Sequence, residues 1–152
     1  MGTLEIKENP SRIKGKIQIF KLKNGKWIKE FEKDNLVVNT GITLKFSRLI
    51  GNTKDPVSHI AVGTGSTAVI ISDNTLETEL ARQVFDGTPV IVSNTLEMET
   101  TYGVGQGVGT WREAGVFNDP TTGDMLNRVN INFVKLSTDI ALVKFILTLV
   151  NV

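Results

Sequence analysis

Between Arg12 and Glu32 the chain alternates around an Asn-Gly pair, and no other feature narrows its fold as much. Ile13, Gly15, Ile17 and Ile19 fall on one side, Lys14, Lys16 and Gln18 on the other, and Lys-Trp-Ile-Lys-Glu-Phe follows Asn24-Gly25. Period-two alternation suits a pleated strand, and Asn-Gly accepts the positive φ values of a two-residue hairpin turn. A β-hairpin is therefore expected over residues 12–32. Residues 1–11 lack periodicity and end in the breaker Asn9-Pro10-Ser11, so they read as an N-terminal arm ahead of one β-rich domain, residues 12–152.

The rest of the chain continues in the same mode. Asn39 or Thr40 is placed to cap a short helix over about residues 40–50. Its apolar positions Ile42, Phe46, Leu49 and Ile50 form a stripe expected to face a sheet, with Gly51 at the C′ position. Val57 to Val62 reads as a buried strand, Thr75 to Leu80 as one helical turn with Leu76 and Leu80 inward, and Arg82 to Phe85 as a short strand. Val90 to Tyr102 alternates cleanly: Val90, Val92, Leu96, Met98 and Tyr102 face one way, with Asn94 and Thr100 interrupting. Gly103 to Gly109 has glycine at every second position and reads as a mobile loop lying close to something. Three further strands follow, the last of them, Ile140 to Val150, apolar on both faces and expected in the middle of a sandwich or in a subunit contact. Short turns between many strands, with one helix, predict a mainly β single-domain sandwich or barrel.

A length of 152 residues suits one domain with a real core. The absence of cysteine removes disulfides, thiol nucleophiles and thiolate metal sites. The charged start fits neither a signal nor a transit peptide, so the chain is expected to stay in the cytosol where it is made. Ile140 to Val150 is interrupted by Lys144 and falls short of the roughly 20 residues of a membrane-spanning helix. Residues 1–54 hold 12 Lys and Arg against 5 Asp and Glu, whereas residues 55–152 hold 5 against 11. Such polarity serves nucleic-acid binding or contacts between proteins. Lys14, Lys16, Lys21, Lys23, Lys26 and Lys29 accompany only Phe20, Trp27 and Phe31 as stacking groups, so a solvated hairpin face is the better reading and nucleic acid is not an expected partner.

Gly63-Thr-Gly65-Ser-Thr-Ala68 has the form of a dinucleotide loop. It opens onto Val69-Ile70-Ile71, a β-branched run, where pyrophosphate binding requires a helix N-terminus. It also lacks the Gly-Lys-Ser/Thr ending of a phosphate loop, so it reads as an architectural turn and no cofactor is expected. His59, the single histidine, shares a strand face with Val57 and Ala61 and reads as a hydrogen-bonded structural residue. Asp73, Glu77 and Glu79, then Glu97 and Glu99, then Asn118-Asp119 with Asp124, are the acidic groupings. None follows the calcium-loop pattern, and solvated faces are expected. Arg112 and Glu113 read as an ion pair bracing the glycine loop. No residue is expected to be catalytic or to bind a metal.

With these segments placed, the chain resembles small structural proteins of tailed bacteriophages. The resemblance lies in an ordered set: Asn-Leu-Val-Val-Asn-Thr-Gly at residues 35–41, His-Ile-Ala-Val-Gly-Thr-Gly-Ser-Thr at 59–67, Thr-Leu-Glu-Thr-Glu-Leu-Ala-Arg at 75–82, Thr-Trp-Arg-Glu-Ala-Gly-Val-Phe-Asn at 110–118, Gly-Asp-Met-Leu-Asn-Arg-Val at 123–129, and a terminal apolar strand. It implies a non-enzymatic virion protein. A single domain without fibre-shaft repeats, together with a charged arm, favours a capsid decoration or cement protein, and likeness to such proteins implies a homo-oligomer, a trimer over local threefold positions. The major capsid protein or another virion protein is then the partner, contacted through the arm up to Arg12, the loop Gly103 to Gly109 and the strand Ile140 to Val150. A tail, baseplate or tail-fibre adaptor is the alternative within the virion. A small nucleotide- or nucleic-acid-binding protein is the alternative outside it.

Overall fold

The computed structural model describes residues 11–51 and 54–151, and of residues 11, 12 and 151 only the backbone. The expected arm, residues 1–11, lies outside the described residues except for Ser11, which already belongs to the first strand. Among the described residues the elements run β1 (Ser11–Lys23), β2 (Lys26–Val37), α1 (Asn39–Leu49), β3 (His59–Gly63), β4 (Glu79–Val84), β5 (Val90–Val92), β6 (Thr95–Tyr102), β7 (Gly109–Phe117), β8 (Met125–Lys135) and β9 (Ala141–Asn151). The fold is mainly β with one short helix.

The strands form one antiparallel sheet in the order β4-β3-β7-β8-β2-β1-β9-β6-β5, curled into a half-barrel. The Asn-Gly hairpin is its longest local element: Asn24 and Gly25 both take positive φ, 51° and 75°, which lets β1 and β2 pair from Lys23↔Lys26 to Gly15↔Asn35. The far side of β1 pairs with β9 from Lys21↔Ala141 to Ser11↔Asn151. The seam between the two halves of the sheet is narrow, because β2 meets β8 only at Leu36↔Arg128 and Val37↔Asn127. The two halves share one core.

That core joins Ile17, Ile19, Val143 and Phe145 from one half to Ile60, Val62, Val116, Val129 and Phe133 from the other. Each fully buried aliphatic or aromatic side chain contributes about 1.5–3 kcal/mol. Trp111 sits between Tyr102 and Phe133 with ring centroids 5.0 Å from each. Hydrogen bonds then tie the two ends of the curl together: the Tyr102 hydroxyl donates to the Ile60 carbonyl (2.6 Å), the Thr100 hydroxyl to the Val84 carbonyl (3.1 Å), and the Asp86 amide to the Glu99 carbonyl (3.0 Å).

Several sequence expectations change against this fold. The helix is present and Gly51 follows it with φ 67°, but its stripe faces outward: Ile42, Phe46, Leu49 and Ile50 are exposed, while Gly41, Leu44 and Ser47 are buried. The cause is close packing, since a Cβ on Gly41 would collide with the Leu126 backbone, and that face alone lets the helix lie flat on β8. Val38, not Asn39 or Thr40, is the N-cap, and no side chain caps it; the Thr40 hydroxyl instead donates to the Met125 carbonyl (2.7 Å). Thr75 to Leu80 forms no helical turn, and only Leu76 of its two leucines is buried. Val90 to Tyr102 is two strands, not one. Ser93 takes φ 55° at the turn between β5 and β6, and Asn94 locks that turn by donating from Nδ2 to the Leu149 carbonyl (2.7 Å). Val90 and Val92 consequently face solvent, whereas Thr100, read as an interruption, is buried. Strand β9 lies inside the sheet between β1 and β6.

Candidate functional site

The acidic and glycine motifs converge on the outer face of β7 and β8. A register shift at Arg112 separates Trp111 and Glu113, so that Trp111 enters the main core while Glu113 turns to the opposite face. Glu113 is fully buried there and pairs with Arg128, itself 2% exposed, at 2.9 Å. The expected Arg112–Glu113 ion pair does not form: Arg112 is exposed, whereas the Glu113 carboxylate is buried and takes Arg128 as its partner.

Glu113 is also saturated by backbone donors. Its Oε1 accepts from the Gly65 amide (3.1 Å) and the Thr78 amide (2.7 Å), and its Oε2 from the Glu77 amide (2.9 Å) and Arg128 Nε (3.0 Å). The glycine motif thus does bind an anion, and the anion is internal. A Cβ on Gly65 would run into Glu113 and Glu77, so this approach of a carboxylate requires glycine. The Thr67 amide and hydroxyl are likewise engaged, both donating to Glu77 Oε2 at 2.8 Å. These bonds, the Thr67 amide first, hold the Glu77 carboxyl below its ordinary pKa.

Arg128 completes a staple over the whole connection from β3 to β4. Its Nη1 donates to Asp73 (2.8 Å) and its Nη2 to the Thr67 carbonyl (3.2 Å), while Asn130 Nδ2 donates to that carbonyl at 2.9 Å. Burial opposes its charge, but the bonds to Asp73 and Glu113 outweigh it and raise its pKa. Asp73 and Glu77 therefore serve an internal cation. Glu79 pairs instead with Arg82 (2.7 Å) on β4.

The remaining sequence candidates have similarly local roles. His59 Nδ1 lies 2.7 Å from the Ser58 hydroxyl; burial first and Arg82 second lower its pKa. Arg82 stacks over the Phe117 ring at 3.7 Å and donates to the Asp119 and Thr122 carbonyls, which holds the β7–β8 turn against β4. Asp119 accepts from the amides of Thr121 (2.9 Å) and Thr122 (2.8 Å), and Asp124 pairs with Lys54 at 2.6 Å. Glu97 and Glu99 each stand 3.7 Å from Lys144. Among the described residues no group of three or more His, Asp or Glu is placed to hold a metal ion, and no helix is long and apolar enough to cross a membrane.

Two features escaped the sequence reading. Lys135 is buried, donating from Nζ to the Gly103 and Asp139 carbonyls at 2.8 Å each, and burial lowers its pKa. It clamps the glycine loop, which is also held by Trp111 Nε1 donating to the Gly107 carbonyl (2.7 Å). The signal was available: Lys135 continues the inward series Ile131, Phe133 on β8. The second feature is the extent of bare apolar surface, on α1 and on β5, where Val90, Ile91 and Val92 are all exposed.

Part of the hairpin's basic face is paired within the hairpin itself. Lys16 and Lys29 pair with Glu32 (2.9 and 2.6 Å), and Lys23 pairs with Glu30 (2.5 Å). Lys21 pairs with Asp139 at 3.1 Å. What the fold and its surfaces define is a curled antiparallel β domain whose buried charges Glu113, Arg128 and Lys135 are hydrogen-bonded and whose helix α1 and strand β5 carry exposed apolar side chains. Compared with known proteins, the chain matches no protein family, no curated protein and no solved structure.

Proposed function

We propose that this chain is a non-enzymatic structural component of a tailed-phage virion, a capsid decoration protein that binds the outer shell surface and stabilises it. The observation that carries this reading is the outward apolar surface of α1 and β5 on a domain that already has a complete core. Phe46, Leu49, Ile50 and Ile91 are 63–81% exposed. Contiguous apolar surface of that kind belongs to contacts between proteins. The resemblance of its ordered motifs to those of small phage structural proteins supports the virion context. Mechanically, each bound subunit bridges neighbouring shell subunits, and binding to the assembled state alone stabilises it by mass action.

The test is occupancy on purified expanded capsids, read by sedimentation and by imaging of labelled protein on intact particles. Binding to heads and a raised temperature of shell disruption support the reading. Label on tails moves the protein to the adaptor role, and label on neither refutes a virion role. The arm is tested in the same assay. Because β1 begins at Ser11, deleting residues 1–10 leaves the described sheet whole and is expected to lower capsid occupancy without shifting the thermal unfolding midpoint. Undiminished occupancy refutes a contact role for the arm.

A further inference from the structure

The seam between β2 and β8 stops short. Its pairing covers Val37↔Asn127 and Leu36↔Arg128, and the Val38 amide donates to the Leu126 carbonyl (3.3 Å). In an antiparallel ladder the bonded pairs recur at every second residue, so Val38 with Leu126 and Leu36 with Arg128 point to Asp34 with Asn130 as the next. Among the described residues no backbone bond joins those two. Their N–H and C=O groups are turned to the seam and left unpaired by it. A hollow of about 350 Å³ lies at this point, walled by residues 33–36 of β2, residues 128–130 of β8, and Val69.

Asn35 brings a second, independent signal to the same hollow. Its side-chain nitrogen and oxygen are both buried, and neither has a hydrogen-bond partner. The amide lies on the backbone of Gly15, where any Cβ would collide with it, so a glycine across the strand pair makes room for it. A buried amide without partners lowers stability, and its place in the wall of a hollow marks a group that a ligand completes.

We propose that this hollow binds an extended segment of a partner polypeptide, which enters as a short strand beside β2. The donor and acceptor pattern selects that ligand. Asp34 and Asn130 each present a main-chain donor with an acceptor, and the Asn35 amide presents the same pair from a side chain. A peptide unit is itself one donor with one acceptor and matches all three. A phosphate or carboxylate leaves the acceptors unpaired, and a metal ion leaves the donors unpaired. Charge favours a neutral ligand as well, because Lys33 and Asp34 offset each other and Arg128 is already taken by Glu113 and Asp73. The volume is at the lower end of the roughly 300–1,000 Å³ of ligand sites, which suits a short segment held by its main chain.

Strand capture goes beyond the capsid role and is tested on the purified full chain without capsids. The probe is a neutral alternating peptide, acetyl-Thr-Val-Thr-Val-Thr-amide, titrated into isotope-labelled protein and followed by NMR. It is expected to shift the backbone amides of Asp34 and Asn130 and the side-chain amide of Asn35, saturating below about 1 mM. Methylating the central amide nitrogens of the peptide should weaken binding at least about tenfold, since the main chain carries it. Asn35→Val should weaken binding at least about fivefold and leave the thermal midpoint equal or higher, because it removes buried groups that nothing in the fold pairs. A lowered midpoint makes the amide a structural group and overturns the proposal. So does a peptide that fails to saturate, shifts confined to α1 or β5, or equal binding by the methylated peptide, which is read on the wild type alone. Binding seen only after residues 1–10 are deleted gives the hollow to the chain's own arm, and seam shifts that grow with protein concentration without peptide give it to a second copy; either result overturns a partner segment.

Discussion

The outer face of β3, β7 and β8 has two covers, and opposite kinds of force hold them. The connection over residues 64–78 is held by charge: one buried carboxylate, Glu113, and one buried guanidinium, Arg128, gather its amides and carbonyls, with Leu76 as its single buried apolar anchor. Helix α1 is held by fit, through Gly41 against the Leu126 backbone and Leu44 beneath it. In both covers the conspicuous apolar letters, Ile70-Ile71 and the stripe Ile42, Phe46, Leu49, Ile50, point away from the core. On this side of the molecule a buried ion pair, a close glycine contact and one buried leucine in each cover do the holding, and those apolar side chains of the covers stay exposed.

The largest effect should come from breaking the charged cover. Glu113→Ala leaves Arg128 without its buried partner and three backbone amides without an acceptor, and is expected to cost about 3–5 kcal/mol in urea unfolding. Replacing both charges together, Glu113→Leu with Arg128→Met, should cost less than Glu113→Ala alone, because no uncompensated charge stays buried. A single substitution costing under about 1 kcal/mol would show that the connection is held by something other than this pair.

The fitted cover is tested by two substitutions a short step apart on one helix. Leu44→Ala removes a buried side chain and should cost about 2–5 kcal/mol, whereas Phe46→Ala removes an exposed one and should stay within about 0.5 kcal/mol. Equal costs, measured by the same unfolding curves, would mean that the helix presents a different face to the sheet.

How far the sequence was legible follows from the same contrast. The hairpin about Asn24-Gly25, the helix and its Gly51 terminus, and the inward series of β8 and β9 were readable, because local turn chemistry and period two determine them. The orientation of α1 was not, since periodicity identifies an apolar stripe without saying whether this chain or a partner covers it. The break at Ser93-Asn94 was hidden because serine seldom takes positive φ, and the locking contact to Leu149 is 55 residues away in the chain. The staple was hidden by a bulge: Glu113 lies two residues from buried Trp111, and strict alternation puts both on one face. The acceptor of the Gly65 amide, the Glu113 carboxylate 48 residues away, could be found only in three dimensions.

The smallest effects belong to two carboxylates at the surface, and they separate hydrogen bonding from charge. Asp119 is lowered to about 2, by the Thr122 amide first and the Thr121 amide second; Glu32 is lowered to about 2, by Lys29 first and Lys16 second. A carboxylate whose folded pKa lies below its unfolded value of about 4 contributes stability above that value and loses it as pH falls through about 2. Both contributions should therefore be present at pH 5 and vanish together towards pH 2. Salt distinguishes them, because ammonium partners on an open hairpin are screened and the amide and hydroxyl partners of Asp119 are not. In 1 M salt at pH 5 the difference in urea midpoint between wild type and Glu32→Gln should shrink, while that between wild type and Asp119→Asn persists. If salt erases both, the β7–β8 turn is held by long-range charge and not by its local amides.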